Sequence, residues 1–537
     1  PETRSIEQLM EQPSKEETFV TKVNRDLFYT LASDLDSERA QSVINVIDQL
    51  KSIQKHDDAT YTKEMNYTID RLITGLGSNI GSARIGFSLC LTEIIDISLD
   101  DGITSDVHQY IKKLQEKLPL NDSNNGNKKK VKGKDERGFV FGRLFGLQVL
   151  MNEPLFSKLF LLGNDEEKTL NSAFILEFAS MLIDLSSFKS WIKETALFTL
   201  YQFLHKLEQT GLNNAQNVLQ ILELLDSTNI TMTMEGLAIY LLFGDNEKTY
   251  DLASFKPSNL HWENNDPLNK TNMSLLIKVL KDVPVSDSDS NQDLKLQQKG
   301  FWTPRLHFVF PILIERLLRI EDTEDQDLGP PTKKQKKNDK SAKKHKKQLA
   351  AQKRFTIDDL YKKVVDESYF SEKSSNERKY IGFLIFKLCL ETFPVEKVQL
   401  LFKQQNFLRT LINHASNKQR MLHKLCSSLL NKQIPVIIQD QPEKITPILE
   451  NIWFYKHNGF LINFDQLTKS KFTSNLLSHQ SLEENNLTAI SKMLNHHLHE
   501  ILDNIYLLKS EGSAGDEDKD SEDYTKSLNM YKFCIDS

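Results

Sequence analysis

The chain has 537 residues, with 68 Lys and Arg against 74 Asp and Glu, a formal net charge of −6, 39% hydrophobic residues, 15 Pro and 20 Gly. That length holds about three ordinary domains or one continuous helical array, and so few Pro and Gly favour long helices over many short strands. The acidic total excludes a uniformly basic nucleic-acid surface, and no stretch approaches the ~20 apolar residues of a membrane helix.

The first 22 residues form an extension whose PETRSIEQLMEQPSKEE has neither the basic nor the apolar region of a secretory leader, so an intracellular protein is expected. A first helical segment is predicted over 23–320. Within it, Ala40, Val43, Ile44, Ile47 and Leu50 share one helix face, and Met65, Ile69, Leu72, Ile73 and Leu76 share another. From Ile85 to Ile95 apolar residues cover nearly every side, including Ile85, Phe87, Leu89 and Cys90, which predicts a helix surrounded by others. Ser82 is a possible N-cap of that helix. Stacking of this kind predicts an all-α fold, an α-solenoid with disordered charged insertions. Arg84-Ile85-Gly86-Phe87 recurs as Ile381-Gly382-Phe383 after Arg378 and Lys379, and Phe145-Gly146-Leu147 follows Arg143. A glycine inside a helix costs about 1 kcal/mol relative to alanine, so its recurrence predicts close approach of a neighbour.

Two surface loops interrupt this segment, 121–134 and 284–298. The first carries Lys128, Lys129, Lys130, Lys132 and Lys134, with Arg137 and Arg143 entering the next helix. It reads as a phosphate-contacting loop on a rigid helix or as a solvated loop edge.

Residues 321–353 begin EDTEDQD, pass Gly329-Pro330-Pro331 and become lysine-rich; their charge and lack of large apolar side chains predict disorder or transient helix. The basic run comprises Lys333, Lys334, Lys336, Lys337, Lys340, Lys343, Lys344, Lys346, Lys347, Lys353 and Arg354, with Asp339 as its one acid. It contributes 11 − 1 = +10 to a chain of net −6, leaving −16 elsewhere. An acidic body with one concentrated lysine arm predicts salt-sensitive, sequence-tolerant phosphate contact. The same lysines suit an import receptor, and the sequence leaves import signal, nucleic-acid arm or both open. A second helical segment is predicted over 354–510, with Ser374-x-x-Glu377 as a capping box, followed by an acidic linker and continuation over 511–537.

Enzymatic patterns are thin. The nearest approach to a polymerase carboxylate turn is Phe243-Gly244-Asp245-Asn246-Glu247, and Asp287 and Asp289 lie in a polar loop that cannot preorganise two metals. His496, His497, His499 and Glu500 form HHLHE without HExxH or a third ligand, so no metal is expected. The chain has no phosphate-binding glycine loop and no nucleophile elbow, and no cofactor or small-molecule substrate is expected. Cys90, Cys389, Cys426 and Cys534 have no CxxC spacing and read as reduced thiols, mostly in the core. Trp191, Trp262, Trp302 and Trp453 are scattered and read as packing residues.

The blocks NRDLFYTLASDLDSERAQS, RLITGLGSNIGSARIGFSLCLTEII, KGKDERGFVFGRLFGLQVL, MEGLAIYLLF, LHFVF, VDESYFSEKSSNERKYIGFLIF and LINHASNKQRMLHKL run in this order from about residue 23 to 425. In them the chain resembles the DNA polymerase phi, fifth DNA polymerase or Myb-binding protein family. That resemblance implies a nucleolar, nuclear protein with an armadillo or HEAT-like fold, tied to ribosomal RNA synthesis and large-subunit maturation. Its implied partners are pre-ribosomal proteins and pre-rRNA or rDNA. Members of the family are usually longer, and the chain starts at Pro1, so it is expected to be an amino-terminal half. The expected function is a nonenzymatic scaffold in ribosome biogenesis, with an rDNA-associated transcriptional coregulator as the alternative. The polymerase that the family name implies comes third.

Overall fold

The computed structural model describes residues 21–120, 133–163, 167–245, 250–282, 303–326, 354–457, 460–478, 482, 484–511, 525 and 527–532. Among these the fold is all-α, with β-structure confined to two hairpins, β1 (Leu161–Leu162) with β2 (Thr169–Leu170) and β3 (Phe454–His457) with β4 (Phe460–Asn463), and an isolated bridge between Asn269 and Arg354. No helix of the described residues is long and apolar enough to cross a membrane. The chain forms two compact units, Pro1–Leu224 and Leu225–Ser537.

The first unit opens with α1 (Leu27–Thr30), α2 (Asp36–Gln54), α3 (Asp58–Leu76), α4 (Gly81–Asp100), α5 (Val107–Lys117) and α6 (Gly133–Val149). It continues through α7 (Leu155–Phe160), α8 (Ser172–Phe188) and α9 (Ser190–Gln209), and α10 (Ala215–Ser227) carries the chain into the second unit. Short polar side chains start several of these helices by accepting from first-turn amides: Asp57 from Ala59, Asp106 from His108 and Gln109, and Asn171 from Phe174.

Their contacts define two layers. Gly86 of α4 lies against Arg39 of α2, and Gln54 donates to Asp101 at 3.2 Å. Arg84 sits over Phe141 of α6 at 5.1 Å and Asn152 donates to Thr92 at 3.0 Å; Phe141 meets Trp191 of α9 at 5.2 Å and Gln148 donates to Thr199 at 3.0 Å. Residue numbers rise together across each pair, so α2, α4, α6 and α9 lie side by side in one direction. In the other layer Lys113 donates to Asn66 at 3.0 Å, Lys117 pairs with Asp70 at 2.9 Å, and His108 meets Glu177 at 3.1 Å, joining α3, α5 and α8. The layers run opposite to each other: Tyr110 of α5 donates to the Gly146 carbonyl of α6 at 2.8 Å, while Gly142 lies against Leu118.

Packing revises two helix faces expected from the sequence. In α3 the predicted face is buried throughout. In α2 the core takes Arg39, Ser42, Val43, Val46, Leu50 and Ile53 instead, and Ile44 is 51% exposed. In α4 Phe87, Cys90, Leu91, Ile94 and Ile95 are buried, but Ile85 and Leu89 are 49% and 44% exposed, so the helix is covered on three sides rather than all round. An apolar run reports how much of a helix prefers burial and not which stripe its neighbours reach.

Two caps also shift. Ser82 does not cap α4, which starts at Gly81; its hydroxyl donates to the Ala32 carbonyl at 3.2 Å. The helix starting at Asn376 is capped by Ser375, which accepts from the Arg378 amide, and not by Ser374.

The recurring glycines do mark close approach. A Cβ on Gly86 would collide with the Leu31 carbonyl oxygen, one on Gly146 would meet Leu114 at 2.5 Å, and one on Gly382 would meet Phe370 at 2.9 Å. With Gly138 against the Gly77 carbonyl and Gly142 against Leu76 and Leu118, α6 presents a glycine every fourth residue to α3 and α5.

The second unit holds α11 (Met234–Gly244), α12 (Met273–Leu280), α13 (Val309–Gln326) and α14 (Ile357–Asp359), which continues as a π-wound segment Leu360–Tyr369. There follow α15 (Asn376–Thr392), α16 (Val395–Phe402) and α17 (Gln405–Ala415), with further short helices and α18 (Glu484–Glu511) beyond. Phe370, Phe383, Phe386, Phe402 and Phe407 form its aromatic centre, and Trp262 and Trp453 are fully buried. The acidic stretch that begins at Glu321 is helical as far as Gln326, and Glu321 pairs with Lys397 at 2.9 Å. Residues on both sides of 327–353 pack together: Phe355 donates to the Leu268 carbonyl at 2.7 Å and Tyr369 to that of Leu280 at 2.5 Å.

Candidate nucleic-acid interface

Most of the lysines singled out in the sequence, Lys128 to Lys132 and Lys333 to Lys353, lie outside the described residues, as do Asp287, Asp289, Trp302 and Cys534. Lys134, Arg137, Arg143 and Arg354 are placed. Lys134 is exposed in the first turn of α6, which starts at Gly133, so the predicted loop ends two residues early.

Arg143 has a structural role instead of a phosphate-facing one. Its Nε donates to the Leu118 carbonyl at 2.8 Å and its Nη2 to that of Gln115 at 3.2 Å, satisfying carbonyls at the end of α5, and burial pulls the guanidinium down to about 10. Arg354 is likewise rooted in the packed unit, where its backbone pairs with that of Asn269 in an isolated antiparallel β-bridge and the residue helps line a cavity of about 270 Å³ with Arg316 and Asn265.

Arg137 belongs to a cluster that sequence order conceals. Its guanidinium sits 5.7 Å from the Phe141 ring and 5.6 Å from that of Trp191, while Arg84 sits 5.1 Å from Phe141 and 5.6 Å from Phe145. Phe141 and Trp191 are themselves 5.2 Å apart. Neither guanidinium has a carboxylate partner among the described residues; Arg84 donates to the Ser78 carbonyl at 2.5 Å, and burial together with the Arg137 charge lowers its pKa. Lys189 flanks the cluster, 3.6 Å from Glu136 and over the Phe188 ring. Along α9 the row continues with Phe198 stacked on Tyr201 at 6.5 Å and Tyr201 on His205 at 6.1 Å. Trp191, Phe141, Phe145, Tyr201 and Phe198 are all half-buried and His205 is exposed.

Trp191, read from the sequence as a packing residue, packs half-buried against Phe141 where α6 meets α9, and with Arg137 and Arg84 it makes a guanidinium and aromatic ladder across α4, α6 and α9. The helical spacing of Trp191, Phe198 and His205 is visible in the sequence; the joining of Arg84, Phe141 and Trp191 depends on the helix register and is not.

The polymerase-like string is accounted for by packing. Asp245, its one placed carboxylate, is held by Arg316 and by Arg319 at 3.0 Å, and Arg316 also donates to the Gly244 carbonyl at 2.8 Å. His497 lies 3.5 Å from Glu500 and His499 bonds the Asn495 carbonyl at 2.6 Å; among the described residues no group of three His, Cys, Asp or Glu could hold a metal. Cys90, Cys389 and Cys426 are buried free thiols, raised by desolvation, Cys426 to about 12.

The family model of DNA polymerase phi matches residues 67–537. The chain is 38% identical over 476 residues to the rDNA transcriptional regulator POL5 of Saccharomyces cerevisiae, covering 86% of this chain and 44% of that protein. It is 26% identical over 460 residues to the rDNA transcriptional regulator pol5 of Schizosaccharomyces pombe, covering 85% of this chain and 40% of that protein. The chain therefore spans less than half the length of these curated relatives. No solved structure matches it.

Proposed function

The chain belongs to the DNA polymerase phi family, and from that premise we propose that it is a nonenzymatic regulator of rDNA transcription, working as a helical-repeat scaffold in the nucleolus. The observation that carries this reading is the identity across most of the chain to a relative named an rDNA transcriptional regulator. The two antiparallel helix layers of the first unit support an armadillo or HEAT-like α-solenoid, in which each helix pair covers the next. The lysine-rich segment 333–354 supplies phosphate contact, import-receptor binding or both, and the loop lysines 128–134 add a second basic site. Asp245, committed to Arg316 and Arg319, supports a regulator rather than a polymerase. The same surfaces would serve a pre-ribosome scaffold bound to pre-rRNA and pre-ribosomal proteins, which is the second reading.

Chromatin crosslinking with and without ribonuclease separates the two. Occupancy of rDNA that survives ribonuclease supports the regulator. Occupancy that disappears with the RNA overturns it in favour of the assembly scaffold. In purified protein, replacing the lysines of 333–354 by Gln is expected to flatten the salt dependence of nucleic-acid binding, by about 0.9 in log–log slope for each duplex phosphate that the arm no longer neutralises. An unchanged slope removes the arm from the binding surface.

A further inference from the structure

We propose that the solvent side of α4, α6 and α9 is a base-stacking platform for single-stranded nucleic acid, a proposal that rests on the nucleic-acid-contacting reading above. The ladder alternates cation and ring: Arg84 over Phe141 at 5.1 Å, Phe141 beside Trp191 at 5.2 Å, and Arg137 over both. A guanidinium already seated on a ring offers its other plane to a further π-system, and a half-exposed indole offers an edge and a face.

Charge selects the occupant. Arg84 and Arg137 carry no carboxylate partner among the described residues, and Lys134 is exposed in the first turn of α6, three residues before Arg137. Positive charge beside stacked rings is the chemistry of sequence-tolerant single-strand binding, in which rings take base faces and lysines take phosphates. Duplex nucleic acid keeps its base faces stacked inside the helix and offers this row only its backbone. The lysines thus attract any nucleic acid, and the ladder discriminates in favour of unpaired strand.

The test uses the full chain and fluorescent oligonucleotides of about 12 nucleotides, oligo(rU), oligo(dT) and a mixed-sequence duplex, read by anisotropy. The expected result is preference for single strands over duplex, with Trp191→Leu and Arg137→Gln each weakening single-strand binding on the order of tenfold while thermal melts and duplex binding hold. Preference for oligo(rU) points to RNA as the source of the strand, and parity with oligo(dT) admits an unwound rDNA strand; both support the platform. Wild-type single-strand affinity in both variants overturns it, and the broader reading survives if lysine-to-Gln changes in 333–354 still flatten the salt slope. Failure of the unmodified chain to bind any of the three probes overturns both. Should Trp191→Leu disturb folding, photocrosslinking of 4-thiouridine RNA to the unmodified chain decides: crosslinked peptides from α6 and α9 support the platform, and crosslinks confined to the lysine segments overturn it.

Discussion

Arg143 and Arg137 lie six positions apart on α6 and do different work. Arg143 ends inside the packing, holding two carbonyls of α5, and Arg137 stays at the surface over Phe141 and Trp191. Arg143→Gln is expected to leave the carbonyl of buried Leu118 unpaired and to cost about 1–3 kcal/mol, seen as a lower urea midpoint, with no change in nucleic-acid affinity. Equal stability of variant and wild type would remove its structural role. A run of basic residues in the sequence does not reveal this division, because helix register decides which guanidinium meets a carbonyl and which meets solvent. Burial of Cys90, Cys389 and Cys426 was legible, since small apolar side chains within helical patterns go to the core wherever neighbours exist.

At the level of single helices, the recurring glycines are the signal the sequence transmitted best. Gly86→Ala is expected to destabilise the fold by about 1–3 kcal/mol because the new methyl meets a backbone carbonyl that cannot rotate away. Gly133→Ala, with open space around it at the start of α6, should be neutral or stabilising by up to about 1 kcal/mol. Comparing the two by chemical denaturation separates packing from propensity. The ion pairs between α3 and α5 make a pH-dependent join. Burial raises the Asp70 pKa, but hydrogen bonds and charge from Lys117 and Lys113 outweigh it, so the folded carboxyl titrates below an ordinary aspartate. A depressed folded pKa gives stability that is fully present above the ordinary aspartate value and is lost as pH falls through the folded one. Asp70→Asn should therefore cost about 0.5–1 kcal/mol at neutral pH, and its melting curve should converge on the wild type in acid. A gap that persists at low pH would assign the loss to packing. Faces were less legible than helices: α2, which packs on both α3 and α4, buries Val43 and Val46 and leaves Ile44 exposed, a choice set by where its neighbours lie.

Across the whole molecule, the charged insertion divides the sequence without dividing the packing. The flanks of 327–353 belong to one compact unit, tied by Phe355 to Leu268, Tyr369 to Leu280 and Lys397 to Glu321. Composition marks such a segment clearly and carries no information about whether its two ends come back together, which is set by long-range contacts. Replacing 327–353 by a Gly/Ser linker of about ten residues should leave the melting temperature within a few degrees, since loop-closure entropy changes slowly with length, while nucleic-acid affinity falls steeply in low salt. A large loss of stability would show that the insertion carries part of the core. The platform on α6 stands under the opposite constraint. Arg137, Phe141 and Phe145 rise from α6 about 100° around the helix from the glycine seat of Gly138, Gly142 and Gly146, so a substitution that lifts the seat also displaces the ladder. Two routes to the same ligand are thereby open to different rates of evolutionary change: lysine number and spacing in the insertion can drift while the fold stays intact, but the selectivity of the ladder is inherited together with the packing of α6 and disappears with it.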